Sequence, residues 1–424
     1  MMTPTTPINR PLGDGLVLRS LRDSDDAERV ATFNGQIFGP KVAEMSRSLM
    51  HHHPATRPEH WLYVEDESRA QIVSSLALIP WQWRYEDVTL KSGEMAIVAT
   101  DEAYRNRGLI RALAVRHQEL LCVGEFDLSH IQGIPYFYRQ FGYEYAMPLE
   151  PGWHLELRQL PDAPADSAAS YHFRPATCDD LPLLMRLYEE AGQSLHIRTV
   201  RPAGAWQYLF EHSEGTETQG EFWLLLDAQE QVAGYWRVAH FGFGTGLIVS
   251  ETSRLSGPAA EALLHWLKAA ALERNKPYIR FNLPLTNDLL RVAQGWGAHD
   301  SGTYAWQMQL VDVPRLLSRL APVFERRIAA SSLAGLTQRV VISLYRTAYE
   351  LDIACGRVTA VNALNRCDQA DLHLPPLLLA PLLLGYRSRA ELNSMYPDVR
   401  VRGQSQVLVD VLFPRLESFI YSIY

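Results

Sequence analysis

The sequence predicts a mixed α/β chain of the α+β class, built from three units in tandem, and three observations predict it. The chain has 424 residues, too many for one ordinary core when domains run at roughly 150 residues. A strand, a capped helix, a strand hairpin and a strand-to-helix step occur in that order twice, on either side of a segment of linker composition. Beyond Asp312 the pattern changes to a helix, alternating apolar runs and a leucine-rich stretch.

The first unit, residues 1–159, opens with "GLVLRSLRDSDDAERVATFNGQIF". Val17 and Leu18 lie in an extended run, and Asp23 or Ser24 caps a helix whose first turn holds Asp25 and Asp26. "WLYVED" and "IVSSLALIPWQWRY" flank the polar turn "ESRAQ" and read as a hairpin. "EMAIVAT" is a further strand, and "GEFDLSHI" and "YEYAMPLE" supply others around "PYFYRQFG". The boundary falls in "LPDAPADSAAS", 160–170.

The second unit, 171–312, repeats the order. Thr177, with Asp180 three positions on, forms a capping box before the apolar-periodic "LPLLMRLYEEAG". "FWLLLDAQEQVAGYWRVAHFG" is a hairpin, "TGLIVSE" a strand, "PAAEALLHWLKAAALE" a helix started by Pro258, and "KPYIRFNL" and "TYAWQMQLVD" complete the unit. An imperfect internal duplication is the economical reading. The third unit, 313–424, holds a helix in "VPRLLSRLAPVFERR", runs that turn at Cys355-Gly356, and an apolar tail ending "SFIYSIY".

Composition narrows the partners. Hydrophobic residues at 47% and charged residues at 21% suit a globular chain. Lys and Arg at 40 against Asp and Glu at 48 leave a net charge of −8, which speaks against nucleic acid and suits cationic ligands. Cys122, Cys178, Cys355 and Cys367 lack any CxxC spacing, so a reducing cytoplasm is expected without zinc or disulfides. The opening "MMTPTTPINRPLGDG" has no apolar leader. "LPPLLLAPLLLGY", 374–386, is too short to span a bilayer and is broken by Pro375, Pro376 and Pro381, so no membrane partner is expected. His51, His52 and His53 are adjacent, with His60 nearby; neighbouring side chains point in different directions, so they are not expected to share a metal ion. Trp81, Trp83, Tyr85, Phe33 and Phe38 are candidates for an amine-binding cleft, because aromatic faces attract ammonium groups; core packing is the alternative.

The chemistry concentrates in "IVATDEAYRNRGLIRALAVRHQELL", residues 97–121. Leu109, Leu113, Ala114, Leu120 and Leu121 recur near helical spacing, so a helix starts near Gly108. Its first amides are then free, and with the macrodipole they form an anion site that Gly108 leaves open. Arg105, Arg107 and Arg111 add charge. Neither GK[ST] nor GxGxxG is present, so the physics indicates a phosphate ligand without naming it.

"YRNRGLIRAL" after "EMAIVAT" resembles motif A of the GCN5-related N-acetyltransferases (GNAT), and "YFYRQFGYEYA" resembles that family's second signature. Ile110 departs from the usual small residue. Two such units followed by a third resemble, over nearly the whole chain, the enhanced intracellular survival (Eis) group, with tandem GNAT folds and a sterol-carrier-like C-terminal domain. "RNRGLIR", "YRQFGY" and "LLLGYRSRAEL" carry that likeness. In the second unit "SETSRLSGPAAEALLHWL" lacks the RxxG turn, so one active site per chain is implied.

The resemblance implies acetyl-CoA as co-substrate and no metal. It implies that Val98, Ala99 and Thr100 pair with pantetheine and polarise the thioester, and that Asn106, Arg107, Gly108, Leu109, Ile110 and Arg111 hold the pyrophosphate. Gly133 and Ile134 would line the acetyl end. Tyr138 is implied as general acid, with a packed aromatic as the alternative and Tyr136 as the neighbour most easily confused with it. The terminal carboxylate at Tyr424 is implied as general base, a docked tail being the alternative. Direct transfer to a primary amine is expected, on an aminoglycoside-like or polyamine-like molecule or on a lysine or N-terminus of a protein. A homo-oligomer is expected. The competing reading is a non-catalytic protein that senses acyl-CoA or carries an apolar ligand in its third unit.

Overall fold

A computed structural model describes residues 7–162, 171–302 and 304–424. Most of the expected linker, 163–170, and the first six residues lie outside the described residues.

Strands β1 (Asn9–Gly13) and β2 (Leu16–Ser20) lead into helix α1 (Ser24–Phe38). Asp23 accepts the Asp26 amide at 2.9 Å, satisfying one of the helix's unpaired donors. Helix α2 (Pro40–His52) begins on Pro40, at a position where a missing N–H costs nothing. Strands β3 (Trp61–Asp66), β4 (Gln71–Tyr85) and β5 (Val88–Thr100) pair antiparallel in turn. Helix α3 (Leu109–Val123) then crosses to β6 (Leu128–Ile131), parallel to β5. Strands β7 (Glu144–Leu149) and β8 (Trp153–Glu156) follow. Between β6 and β7, "YFYRQFG" holds a 3-10 turn, Phe137–Phe141, ended by Gly142.

The next stretch runs β9 (Tyr171–Pro175), α4 (Leu181–Gly192), β10 (Ile197–Val200), α5 (Ala203–Glu211), β11 (Gly220–Asp227) and β12 (Val232–Ala239). It continues with β13 (Leu247–Thr252), α6 (Gly257–Glu273), β14 (Tyr278–Phe281), β15 (His299–Asp300) and β16 (Tyr304–Leu310). The Thr177–Asp180 capping box forms. The single helix expected from "VPRLLSRLAPVFERR" is two, Val313–Arg319 and Ala321–Ala329, because Pro322 lacks the N–H that a continuous helix needs. Strands β17 (Gln338–Ser343), β18 (Thr347–Ala354), β19 (Arg357–Asn365), β20 (Leu372–His373) and β21 (Arg400–Val401) make a sheet of order β19-β18-β17-β20-β21. The expected Cys355-Gly356 turn joins β18 to β19, both residues at positive φ. The last strand is β22 (Ser418–Phe419).

The two larger sheets exchange strands across the boundary read near residue 160. β16, expected to complete the second unit, lies between β6 and β7 in the first sheet; β8, from the first stretch, pairs with β14 and β15 in the second. A central strand must bury both faces, and β16 does so with Ala305, Trp306, Gln307 and Met308 all buried. The tail also joins the first sheet: β22 pairs parallel with β10, and β10 antiparallel with β4. The site is therefore assembled from segments far apart in sequence.

Candidate active site

Strands β5 and β6 pair only from Ser92↔Leu128 to Glu94↔His130, and β6 ends at Ile131 while β5 runs on to Thr100. The two strands part after Glu94. A bulge in β5 sits on this lip: Ser75 faces Ala99 and Ala77 faces Ala96, so Ile97 and Val98 together oppose Leu76. Ile97 has φ 47, a conformation a β-branched residue rarely adopts. Val98, Ala99 and Thr100 lie on this side of the opening, and Gly133 and Ile134 just past the end of β6. The side chains of β16 fix the second side. Gln307 donates to the Gly133 carbonyl at 3.0 Å and to the Ile134 carbonyl at 3.3 Å, and Tyr304 also donates to the Gly133 carbonyl.

The turn after β5 leads into helix α3, which starts where the sequence places it, next to Gly108. Asn106 and Gly108 take left-handed φ values of 62 and 77, accessible to these two residue types. Helix α3 starts at Leu109 with no side-chain cap, leaving its first amides free. A Cβ at Gly108 would meet nothing within 4 Å. Arg107, Gly108 and Leu109 border a hollow of ≈390 Å³ with Leu12, Gly13 and Asp14. The Arg107 guanidinium is 3.7 Å from Asp14 and lies 5.3 Å from the Tyr104 ring. Arg105 faces Glu102 at 3.4 Å. Ile110 packs against the apolar cluster on the α3 side, and Arg111 borders a neighbouring hollow with Met95, Gln140 and Tyr143.

Tyr138 is buried among Phe137, Phe141 and Tyr143. A Cβ at Gly133 would come within 2.3 Å of its ring, so only glycine lets the phenol lie against that backbone. Burial, with Tyr304 adding to it, pushes its pKa up to about 12, and it stays protonated at neutral pH. Tyr136 is exposed at 73%.

On the other face of β5 is a residue the sequence reading did not single out. Glu94 is 5% exposed; its Oε2 accepts from Trp81 Nε1 at 2.9 Å and from the Tyr424 hydroxyl at 2.7 Å. Desolvation raises its pKa to about 7 against those two hydrogen bonds, which lower it. His130 Nε2 is 4.0 Å away and has no hydrogen-bond partner, while Nδ1 meets the Ser92 hydroxyl at 2.8 Å. Burial holds this imidazole neutral, its pKa well below the usual value. A carboxylate within the otherwise apolar "EMAIVA" was the available signal.

Tyr424 reaches this site through its phenol, whereas the sequence reading assigned its carboxylate. The phenol donates to Glu94, and the Tyr424 main-chain oxygen accepts from the Ser422 hydroxyl. The side chains of Tyr424 and Tyr138 belong to separate buried clusters. Glu94, Trp81, Trp306 and Tyr424 line a cavity of ≈590 Å³ whose far wall comes from β12, β13 and the tail. Of the five aromatic candidates only Trp81 reaches it; Trp83, Tyr85 and Phe33 are core, and Phe38 is exposed on the end of α1. His52 stacks on His212 at 4.0 Å, whereas His53 packs against Tyr208 and Tyr424. Among the described residues no group of side chains is arranged to hold a metal ion, and no helix is long and apolar enough to cross a membrane.

A parallel strand pair that splays beside a helix N-terminus open to anions defines a class. Residues 18–146 match the acetyltransferase (GNAT) domain, a fold that implies the use of acyl-CoA. Three solved structures are similar over nearly the whole chain. A GCN5-related N-acetyltransferase from Anabaena variabilis is 15% identical with a TM-score of 0.69, covering 96% of this chain and 99% of its own. A probable N-acyltransferase from Enterococcus faecalis is 14% identical, TM-score 0.70, covering 99% and 100%. Eis1 from Mycobacterium abscessus is 16% identical, TM-score 0.63, covering 96% and 100%. At these identities the likeness is one of fold. No curated protein matches the sequence.

Proposed function

We propose that the chain moves an acetyl group from acetyl-CoA to a primary amine by direct transfer in a ternary complex. One observation carries the reading: a buried carboxylate, Glu94, with a pKa near 7, stands both where β5 and β6 part and on the wall of the large cavity. A base of that pKa is matched to neutral pH. Glu94 takes the proton that an ammonium group must lose before its nitrogen becomes a nucleophile. Trp81 and Tyr424 hold the carboxylate in place. Tyr138, protonated against the Gly133 backbone, gives a hydrogen bond to the leaving sulfur.

The open space at Gly108 and the free amides of α3 fit a pyrophosphate. In this reading Asn106, Arg107, Gly108, Leu109, Ile110 and Arg111 hold it, Val98, Ala99 and Thr100 pair with the pantetheine arm, and Gly133 and Ile134 line the acetyl end. Acetyl-CoA supplies the activated acyl group. Glu94, Glu150 and Glu217 all line the cavity, which supports an amine acceptor, since an ammonium group supplies a counter-charge to carboxylates. Aminoglycoside-like and polyamine-like molecules, and a lysine or N-terminus of a protein, belong to that class. The tandem order and the five-stranded third sheet support an Eis-like assignment with a sterol-carrier-like last unit.

The test is thiol release from acetyl-CoA across a panel of amines, with wild type, Glu94→Gln and Tyr138→Phe. Amine-dependent release that falls in both variants is expected. Binding of acetyl-CoA with no acceleration by any amine would favour the acyl-CoA-sensing alternative.

A further inference from the structure

The large cavity has a second charged wall, opposite in sign to the first. Arg237 on β12 lines it and is 6% exposed. Directly across the ladder is Glu251 on β13, but that carboxylate is already engaged. Arg201 grips it with two bonds of 3.0 and 2.6 Å, and the Tyr235 hydroxyl donates to it at 2.7 Å. Two buried guanidinium groups thus share one carboxylate, leaving a surplus positive charge. Arg237 makes only neutral contacts, one to the Thr218 carbonyl, a long one of 3.4 Å to the Ser250 hydroxyl and one over the Phe222 ring at 5.4 Å, and its Nε has no hydrogen-bond partner. Burial lowers its pKa to about 10, Glu251 opposing the shift and Arg201 adding to it. A buried, unpaired guanidinium is costly unless an anion completes it.

The geometry points to an acceptor that carries a carboxylate as well as its amine, a small amino acid, with Arg237 receiving the carboxylate while the amine faces Glu94. This inference rests on the amine-acetylation reading above and narrows it: simple polyamines lack the group Arg237 calls for. A planar guanidinium can meet a carboxylate with two parallel bonds, which gives specificity as well as affinity.

The experiment compares amines that differ only by that carboxylate: lysine against cadaverine, and ornithine against putrescine. Thiol release gives kcat/KM for each, and calorimetry on the full chain gives binding independently of turnover. Wild type is expected to favour the carboxylated member on the order of ten-fold or more, mainly through KM. In Arg237→Met the ratio is expected to collapse towards one, and Arg237→Lys to restore part of it. Cadaverine used as well as lysine by wild type, or a preference that survives in Arg237→Met, would overturn the inference. If no amine is turned over, the acetylation reading fails by itself, and calorimetry still decides. Lysine binding that Arg237→Met abolishes supports the carboxylate site, and absence of lysine binding to wild type ends it.

Discussion

The Tyr424 hydroxyl donates to Glu94 Oε2 at 2.7 Å, joining residues 330 positions apart. Trp81 donates to the same oxygen at 2.9 Å, so two neutral donors stabilise a carboxylate that burial pushes the other way. The balance leaves its pKa at about 7, where a small change in either donor changes the fraction ionised at neutral pH.

If Glu94 is the base, kcat/KM should rise with pH through about 7, because only the ionised carboxylate accepts a proton. Glu94→Gln should lower kcat on the order of 100-fold and remove that rise. Initial rates between pH 5.5 and 9 in constant ionic strength check both; an unchanged profile in the variant would assign the base role elsewhere.

Tyr424→Phe removes one donor to Glu94 and leaves the ring in place. Because that hydrogen bond favours the ionised form, its loss should move the midpoint of the pH–rate profile upward. A tail that merely docks would change the rate at every pH alike. The direction of the shift therefore separates a positioning role from a packing role.

The same carboxylate should appear in stability. Its folded pKa is above the unfolded value, so the folded state binds the extra proton and is favoured at low pH. That advantage is complete below about pH 4.5 and is lost as pH rises through about 7. The full effect is on the order of 3 kcal/mol. Urea unfolding of wild type and Glu94→Gln at pH 5 and pH 8 should show the variant gaining relative to wild type at the higher pH.

Gly108 and its neighbours were legible in the sequence because helix starts are local: a glycine, flanking arginines and an apolar period lie within one stretch. The cap at Asp23 and the capping box at Thr177 were legible for the same reason. The placing of β16 beside β6 was not, since strand pairing depends on which distant edge is free. Glu94 stands out locally only as a carboxylate beginning an apolar run, and the partners that bury it, Trp81 and Tyr424, come from elsewhere in the chain. Arg237 reads as an ordinary hairpin charge, and only the capture of Glu251 by Arg201 reveals it as unpaired.

The proposed pyrophosphate site can be tested without turnover. Gly108→Ala places a Cβ in the open space before the amides and forces a left-handed φ on alanine, at roughly 1 kcal/mol. Acyl-CoA affinity by calorimetry should fall about ten-fold. Arg107→Gln keeps the backbone and removes only charge, so its loss should shrink as salt is added, while that of Gly108→Ala should persist.

Arg237 and Glu251 should differ sharply when each is neutralised. Glu251→Gln leaves Arg201 and Arg237 buried without a counter-charge and should cost ~3–5 kcal/mol. Arg237→Met leaves the Arg201–Glu251 pair intact and removes the surplus charge, so it should cost ~1 kcal/mol or less, with methionine replacing part of the stem. Denaturant unfolding of the unliganded chain measures both. Near-equal costs would mean that Glu251 serves both arginines alike, and that Arg237 has no charge left for a ligand. A large cost for Glu251→Gln beside a small one for Arg237→Met would show that the fold tolerates Arg237 without depending on it, as expected of a residue held ready for a carboxylate.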